Sequence, residues 1–204
     1  MTTLVHDLKD PRRATIVRQA RQHFVTHGFT ATRMEPVARE SGVSTATLYG
    51  FFESKNLLFE AVINDATDEI ASQLAALPIG NGGAQDKLNT LLGFYAHFLN
   101  NDEVRAVFRL ILAERHRFEE VCTRFFLNGR THFGQALTEL LENLGKSGEL
   151  KPSNATLGAS QLMGMIENTV FFNPLIDGDA AADTSSPDHY ATEAVKTYLA
   201  RFQA

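Results

Sequence analysis

The stretch Gly42-Val43-Ser44-Thr45-Ala46-Thr47-Leu48-Tyr49-Gly50-Phe51-Phe52-Glu53-Ser54-Lys55 decides how this chain is read. Gly42 can take the left-handed conformation that ends one helix, and the Ser44 oxygen can accept a backbone N–H at the start of the next. A turn between two helices is therefore written into consecutive residues. The second of these helices displays small hydroxyls and a tyrosine, and Ser54-Lys55 opens a further helix. This is helix-turn-helix grammar, in which the second helix enters the major groove of duplex DNA.

Working outward, Asp10-Pro11 supplies an N-cap and a first helical residue, and Gly28 a stop, so the spacing predicts a first helix over residues 11–27. Ile16, Val17, Ala20, Phe24 and Val25 share one face of it, leaving Arg12, Arg13, Arg18 and Arg21 toward water or a partner. Thr32 and Glu35 have the spacing of a capping box, and Pro36 falls in the first turn of the helix that box would open.

The run GFTATRMEPVARESGVSTATLYGFFESKNLLFEAV, residues 28–62, resembles the DNA-binding domain of the TetR/AcrR family of one-component transcriptional regulators. The glycine, the cap, the tyrosine, Phe52 and Ser54-Lys55 stand at that family's spacing. Where relatives place a long polar or aromatic side chain after the tyrosine, this chain has Gly50, which removes one possible base or phosphate contact and weakens a helix by up to about 1 kcal/mol relative to Ala. A looser likeness, over Arg109–Phe118, is to the C-terminal domain of the AefR-like branch, whose effectors are unidentified.

Charge supports the reading through its distribution. The chain has a net charge of −5 and a pI near 5.8, which alone argues against nucleic acid. Residues 9–55, however, carry eight bases (Lys9, Arg12, Arg13, Arg18, Arg21, Arg33, Arg39, Lys55) against four acids, and the rest eleven bases against twenty acids. A head of +4 joined to a body of −9 meets phosphates at one end and binds less tightly as salt rises.

Arg33, Ser44, Thr45, Ala46, Thr47, Tyr49, Gly50 and Lys55 are the candidate DNA-facing residues. Tyr49 follows hydroxyl residues on an exposed face, where its own hydroxyl can reach a phosphate; the alternative is a ring buried in the small domain. Thr45 and Thr47 can donate to phosphate, or read bases through hydroxyl and methyl. Arg33 stands either on the nucleic acid or beside the cap in water. Lys55 begins a helix whose N–H groups and dipole already favour anions, which makes it a candidate phosphate clamp. Phe51 and Phe52 read as core, because adjacent rings near a helix end pack a small domain.

The remainder reads as all helical. One helix runs from Ser54 toward Pro78, roughly 23 residues or about 35 Å long, and bridges the two halves. Apolar periodicity then marks helices over residues 88–99, 104–112 and 118–144, another from Leu157 to Asn173-Pro174, and a last one opened by Ser186-Pro187. The intervening Asp177–Ser185 is turn-rich and expected to be mobile. The expectation is an all-α protein of about nine helices: a DNA-binding head over residues 1–54 and an effector-binding and dimerisation domain over residues 55–204. No alternating strand pattern, internal repeat, signal sequence or membrane-length apolar run is present, and the expected location is cytoplasmic.

One reading helix covers few base pairs, so useful affinity calls for two copies on a palindromic operator. The family resemblance implies a homodimer through the last two long helices, about residues 155–173 and 187–203, where Gly158, Ala159 and Gly164 permit close approach; the same stripes could instead close the subunit's own core. It also implies a small apolar or amphipathic effector that releases a repressor from its operator. Phe94, Phe98, Phe108, Leu112, Phe125, Met163 and Phe171 are candidate pocket residues, although core packing explains them equally well.

Catalysis finds no support, since the seven histidines are scattered and the single cysteine has no CxxC or His-Cys partner spacing. His23 and His27 are spaced as metal ligands but lack a third, so they read as solvated and no metal or cofactor is expected. Cys122 falls on an apolar stripe and reads as a buried thiol. Non-specific architectural binding is the strongest rival function, and it would need a more basic chain.

Overall fold

The computed structural model describes residues 10–151, 153–181 and 185–204. Among these there is no β-strand, and ten α-helices follow in order: α1 Pro11–Ala31, α2 Met34–Glu40, α3 Thr45–Phe51, α4 Lys55–Ala75, α5 Ala84–Leu99, α6 Asp102–Glu114, α7 Glu119–Lys146, α8 Ala155–Glu167, α9 Asn173–Asp177 and α10 Pro187–Phe202. A π-helix, Asn168–Phe172, joins α8 to α9.

Two compact units divide the chain, the first reaching Ile70 and taking in Ala106–Phe126, the second comprising Ala71–Arg105 and Leu127–Ala204. The boundary expected between residues 54 and 55 falls inside the first unit. Leu58, Phe59, Val62 and Ile63 of α4 are fully buried there, and Phe118 stacks on Phe59 with centroids 4.4 Å apart. Segment 106–126 thus belongs physically with the helix-turn-helix core.

In the first unit, Asp10 caps α1 through Arg12 N, with Pro11 in the first turn. Ile16, Val17, Ala20 and Phe24 turn inward as the periodicity requires, whereas Val25, expected on the same face, is 36 % exposed. Gly28 sits at φ 75°, ψ 168° and interrupts the helix where the stop was expected, after which one more turn runs to Ala31.

The expected capping box does not form. Thr32 is buried, and its hydroxyl donates to the carbonyls of Gly28 (2.7 Å) and His23 (3.1 Å), while Arg33 is the N-cap residue of α2 and makes no side-chain cap bond. The break at Gly28 leaves carbonyls at the end of α1 that need donors more than the start of α2 needs an acceptor.

In the second unit, α10 packs on α5 and α8, and α5 on α8. Phe133 of α7 is met by Tyr95 at 4.6 Å, Phe98 at 5.6 Å and Phe94 at 5.8 Å between centroids. Asn173-Pro174 does not end its helix as expected. The π-turn brings Asn173 N–H to the Asn168 carbonyl, and Pro174, placed in the first turn of α9, needs no intrahelical donor there. Of the expected mobile segment, Asp179–Ala181 forms a 3₁₀ turn and residues 182–184 lie outside the described residues. Arg105, 1 % exposed, holds that turn: its Nε donates to Asp179 at 2.7 Å, Nη1 to the Leu99 carbonyl at 3.2 Å and Nη2 to Asp102. Ser186 and Pro187 open α10 as expected.

Candidate nucleic-acid interface

Gly42, at φ 70°, makes the turn between α2 and α3, a conformation glycine takes without strain. Ser44 caps α3: its Oγ accepts from Thr47 N at 3.0 Å and lies 2.8 Å from the Thr47 hydroxyl. Leu48 is fully buried and pins α3 to the core. Around that anchor Ser44, Ala46, Tyr49 and Gly50 are exposed to solvent and Thr45 and Thr47 are half-buried; Tyr49 is 43 % exposed. Four of the eight expected residues are thus exposed along α3 and its cap, and two more are half-buried there. Arg33 is exposed at the start of α2.

Lys55 lies elsewhere. Its Nζ donates to the carbonyls of Phe29 (2.8 Å), Thr32 (2.9 Å) and Thr30 (3.2 Å), and stands 4.5 Å from the centroid of the Phe29 ring. The ammonium expected at a phosphate is turned inward and closes the last turn of α1. Burial, then the Arg117 guanidinium, lower its pKa from 10.5.

Phe51 and Phe52, expected as core, differ. Phe52 is buried and Phe51 half-buried, and each carries an arginine from the start of α1: Arg12 is 5.5 Å from the Phe51 centroid and Arg13 is 5.0 Å from that of Phe52. Nothing in the periodicity of α1 signalled this seating, because it depends on how α1 crosses α3.

Elsewhere in the head, Arg21 of α1 bridges Asp65 (2.8 Å) and Glu69 (3.1 Å) of α4. His23, expected to be solvated, pairs through Nε2 with the Glu40 carboxylate at 2.8 Å and is largely buried. That hydrogen bond is the leading cause that lowers the Glu40 pKa from its ordinary 4.5. Among the described residues no three His, Cys, Asp or Glu side chains group as a metal site. Cys122 is buried, and burial raises its pKa.

Residues 86–204 match the family model of the AefR-like transcriptional repressor C-terminal domain, and residues 16–62 match that of bacterial regulatory proteins, tetR family. The chain belongs to the TetR family. This TetR-family regulator is similar to solved structures over nearly its whole length. A putative TetR-family regulator from Mesorhizobium loti is 22 % identical with a TM-score of 0.73, covering 95 % of this chain and 97 % of that one. The flavonoid-responsive regulator FrrA is 26 % identical, also with a TM-score of 0.73, over 94 % and 97 %. An uncharacterised HTH-type transcriptional regulator of Bacillus subtilis, YfiR, is 38 % identical over 61 residues, which is 30 % of each chain. The regulator is a DNA-binding protein whose relatives are transcription factors and not enzymes. No helix among its described residues is long and apolar enough to cross a membrane.

The candidate effector residues divide between the two units. Phe94 and Phe98 are half-buried around Phe133, Met163 is buried 3.9 Å from where a Gly134 side chain would begin, and Phe171 packs on Phe172 at 5.4 Å, all in the second unit. In the first, Phe108 meets Phe125 edge-on at 5.1 Å and Leu112 is exposed. The pair that sequence reasoning missed is Tyr95 and Glu167, both buried, with the tyrosine hydroxyl donating to the carboxylate at 2.6 Å.

Of the small residues expected at a dimer seam, Gly158 and Ala159 are buried inside the subunit. A Cβ on Gly158 would lie 2.5 Å from the Tyr198 hydroxyl oxygen of α10. Gly164 faces outward with open space around it.

Proposed function

We propose that this regulator is a homodimeric repressor that occupies a palindromic operator through two copies of α3 and leaves it when a small amphipathic effector binds the C-terminal domain. The observation that carries the dimer is an outward apolar stripe on α8 and its continuation: Leu157, Met165 and Phe172 are 56 %, 39 % and 42 % exposed, with Gly164 between them. On a lone subunit these side chains would stand in water, and a second copy covers them by packing the α8–α10 face on itself.

In this reading Ser44, Thr45, Ala46, Thr47, Tyr49 and Gly50 meet the major groove and Arg33 a flanking phosphate. The two heads stand about 34 Å apart, or a multiple of it, to follow one face of the duplex. The protein works in the cytoplasm. The relative that is flavonoid-responsive, at 26 % identity over almost the full chain, favours a planar, hydroxylated aromatic effector. Release follows if the effector binds the DNA-incompetent spacing more tightly than the competent one, since a ligand shifts an equilibrium only by its differential affinity.

The testing experiment is a release titration: a bound duplex selected from random DNA, challenged with a flavonoid such as naringenin. Loss of the complex at effector concentrations that leave an unrelated repressor bound supports the reading. Retention of the duplex across a panel of planar phenols refutes this effector class.

A further inference from the structure

The reading helix of this protein carries no cation. Residues 41–54, which span the turn, α3 and the approach to α4, contain neither Lys nor Arg. The first basic residue after them, Lys55, donates to three carbonyls at the end of α1. Arg21 is bound by two carboxylates of α4, and Arg39 lies 3.5 Å from Glu40. Most affinity for duplex DNA comes from neutralising phosphates, so a head of net +4 needs cations placed beside α3 by other elements.

Two arginines are so placed. Arg12 lies over the ring of Phe51, the last residue of α3, and Arg13 over that of Phe52, its C-cap. They stand at the same end of the reading helix as Gly50, which has no side chain and nothing within 4 Å of where a Cβ would be. A guanidinium held over a ring spends no N–H group on that contact, so its donors stay open to oxygen acceptors, and the contact restricts rotamer freedom before any ligand arrives. The Arg12 side chain is 61 % exposed. Arg13 pairs with no carboxylate among the described residues.

We infer that Arg12 and Arg13, seated on Phe51 and Phe52, form a phosphate-binding edge that extends the DNA footprint beyond α3. It supplies from the first helix the cationic contact absent at Gly50. Asp10 moderates this edge: its carboxylate accepts from Arg12 Nη2 at 2.7 Å and from Nε at 3.1 and 3.2 Å. Asp10 therefore does two things, capping α1 and offsetting part of the charge of Arg12. The inference rests on the family's DNA binding and would fail separately from it.

The experiment is a salt titration of binding to a random-sequence 40-base-pair duplex, followed by fluorescence anisotropy, using the full chain. Wild-type protein that shows no salt-dependent binding contradicts DNA recognition itself and with it this inference. Given wild-type binding, Arg13→Met keeps an apolar stem over Phe52 and removes the charge. A lost phosphate contact lowers the slope of log K against log salt by about 0.9 per head, so about 1.8 for a pair of heads. Arg12→Gln lowers it less, because Asp10 already offsets that charge. An unchanged slope in both variants overturns the inference. Asp10→Asn retains the helix cap, removes the carboxylate charge beside Arg12 and is expected to tighten binding several-fold at every salt concentration. Binding that is equal or weaker overturns the inference, and this variant decides the matter if Arg13→Met does not fold.

Discussion

The ammonium of Lys55 and the ring of Phe29 are 4.5 Å apart, and the same ammonium donates to the Phe29 carbonyl at 2.8 Å. Arg117 lies 4.6 Å from the centroid of that ring, so one phenylalanine meets two cations, one of them brought in by segment 106–126. Phe118, the next residue, packs edge-on against Phe29 at 4.9 Å. A lysine at the start of α4 thus holds the end of α1 closed.

Lys55→Met therefore acts on stability first. It removes a charged donor from three carbonyls and is expected to cost about 2 kcal/mol, read from urea unfolding midpoints. The salt slope on random duplex should stay at the wild-type value in the folded variant. Unaltered stability with a lower slope would show that the ammonium serves phosphate after all.

Tyr49→Ala should weaken binding to operator and random duplex by similar factors, because a phosphate contact carries no sequence information. Thr47→Ala should instead change base preference at one or two positions of a selected site, with little loss on random DNA. Side-by-side anisotropy on both duplexes separates the two. Thr47 changing neither quantity would leave its hydroxyl serving only the Ser44 cap.

Gly158→Ala drives a Cβ to 2.5 Å from the Tyr198 hydroxyl oxygen and 3.1 Å from two ring carbons. The overpacking should cost about 1–3 kcal/mol. Adding Tyr198→Phe removes the nearest atom and should return part of it, so the double variant is more stable than the sum of the single changes. Strict additivity in thermal unfolding would contradict this packing of α8 on α10.

The His23–Glu40 tie between α1 and α2 gives the head an acid-sensitive bond. Folding lowers the Glu40 pKa below its ordinary 4.5, so its stabilisation is full above that value and lost as pH falls through the folded pKa. The stability difference between wild type and Glu40→Gln should close as pH falls below about 4.5. A gap that persists at pH 3 would rule out the carboxylate as its source.

What the sequence made legible was whatever local chemistry decides. Asp10 and Ser44 cap their helices and Gly42 turns because each acts on neighbours two or three residues away. Periodicity likewise located the buried face of α1, Val25 excepted. Thr32 has the same local credentials as Ser44, yet its hydroxyl went to carbonyls of the preceding helix, a competition that no spacing encodes. Lys55 reads as a clamp from its place at a helix start, and only the crossing of α1 over α4 shows which way it points. For the candidate pocket residues aromatic chemistry says nothing of place: Phe94 and Phe108 are alike in type and fall in different compact units. The seating of Arg12 and Arg13 on consecutive phenylalanines is equally non-local, since some forty residues separate the partners.

Selection of bound sites from random duplex DNA tests the central claim most directly. An α3 that reads the major groove twice per assembly predicts a palindromic consensus whose half-sites are centred about one helical turn, or a multiple of it, apart, together with a dimeric mass for the complex. Enrichment of no sequence at low ionic strength, or of a single unpaired half-site bound by a monomer, would contradict it.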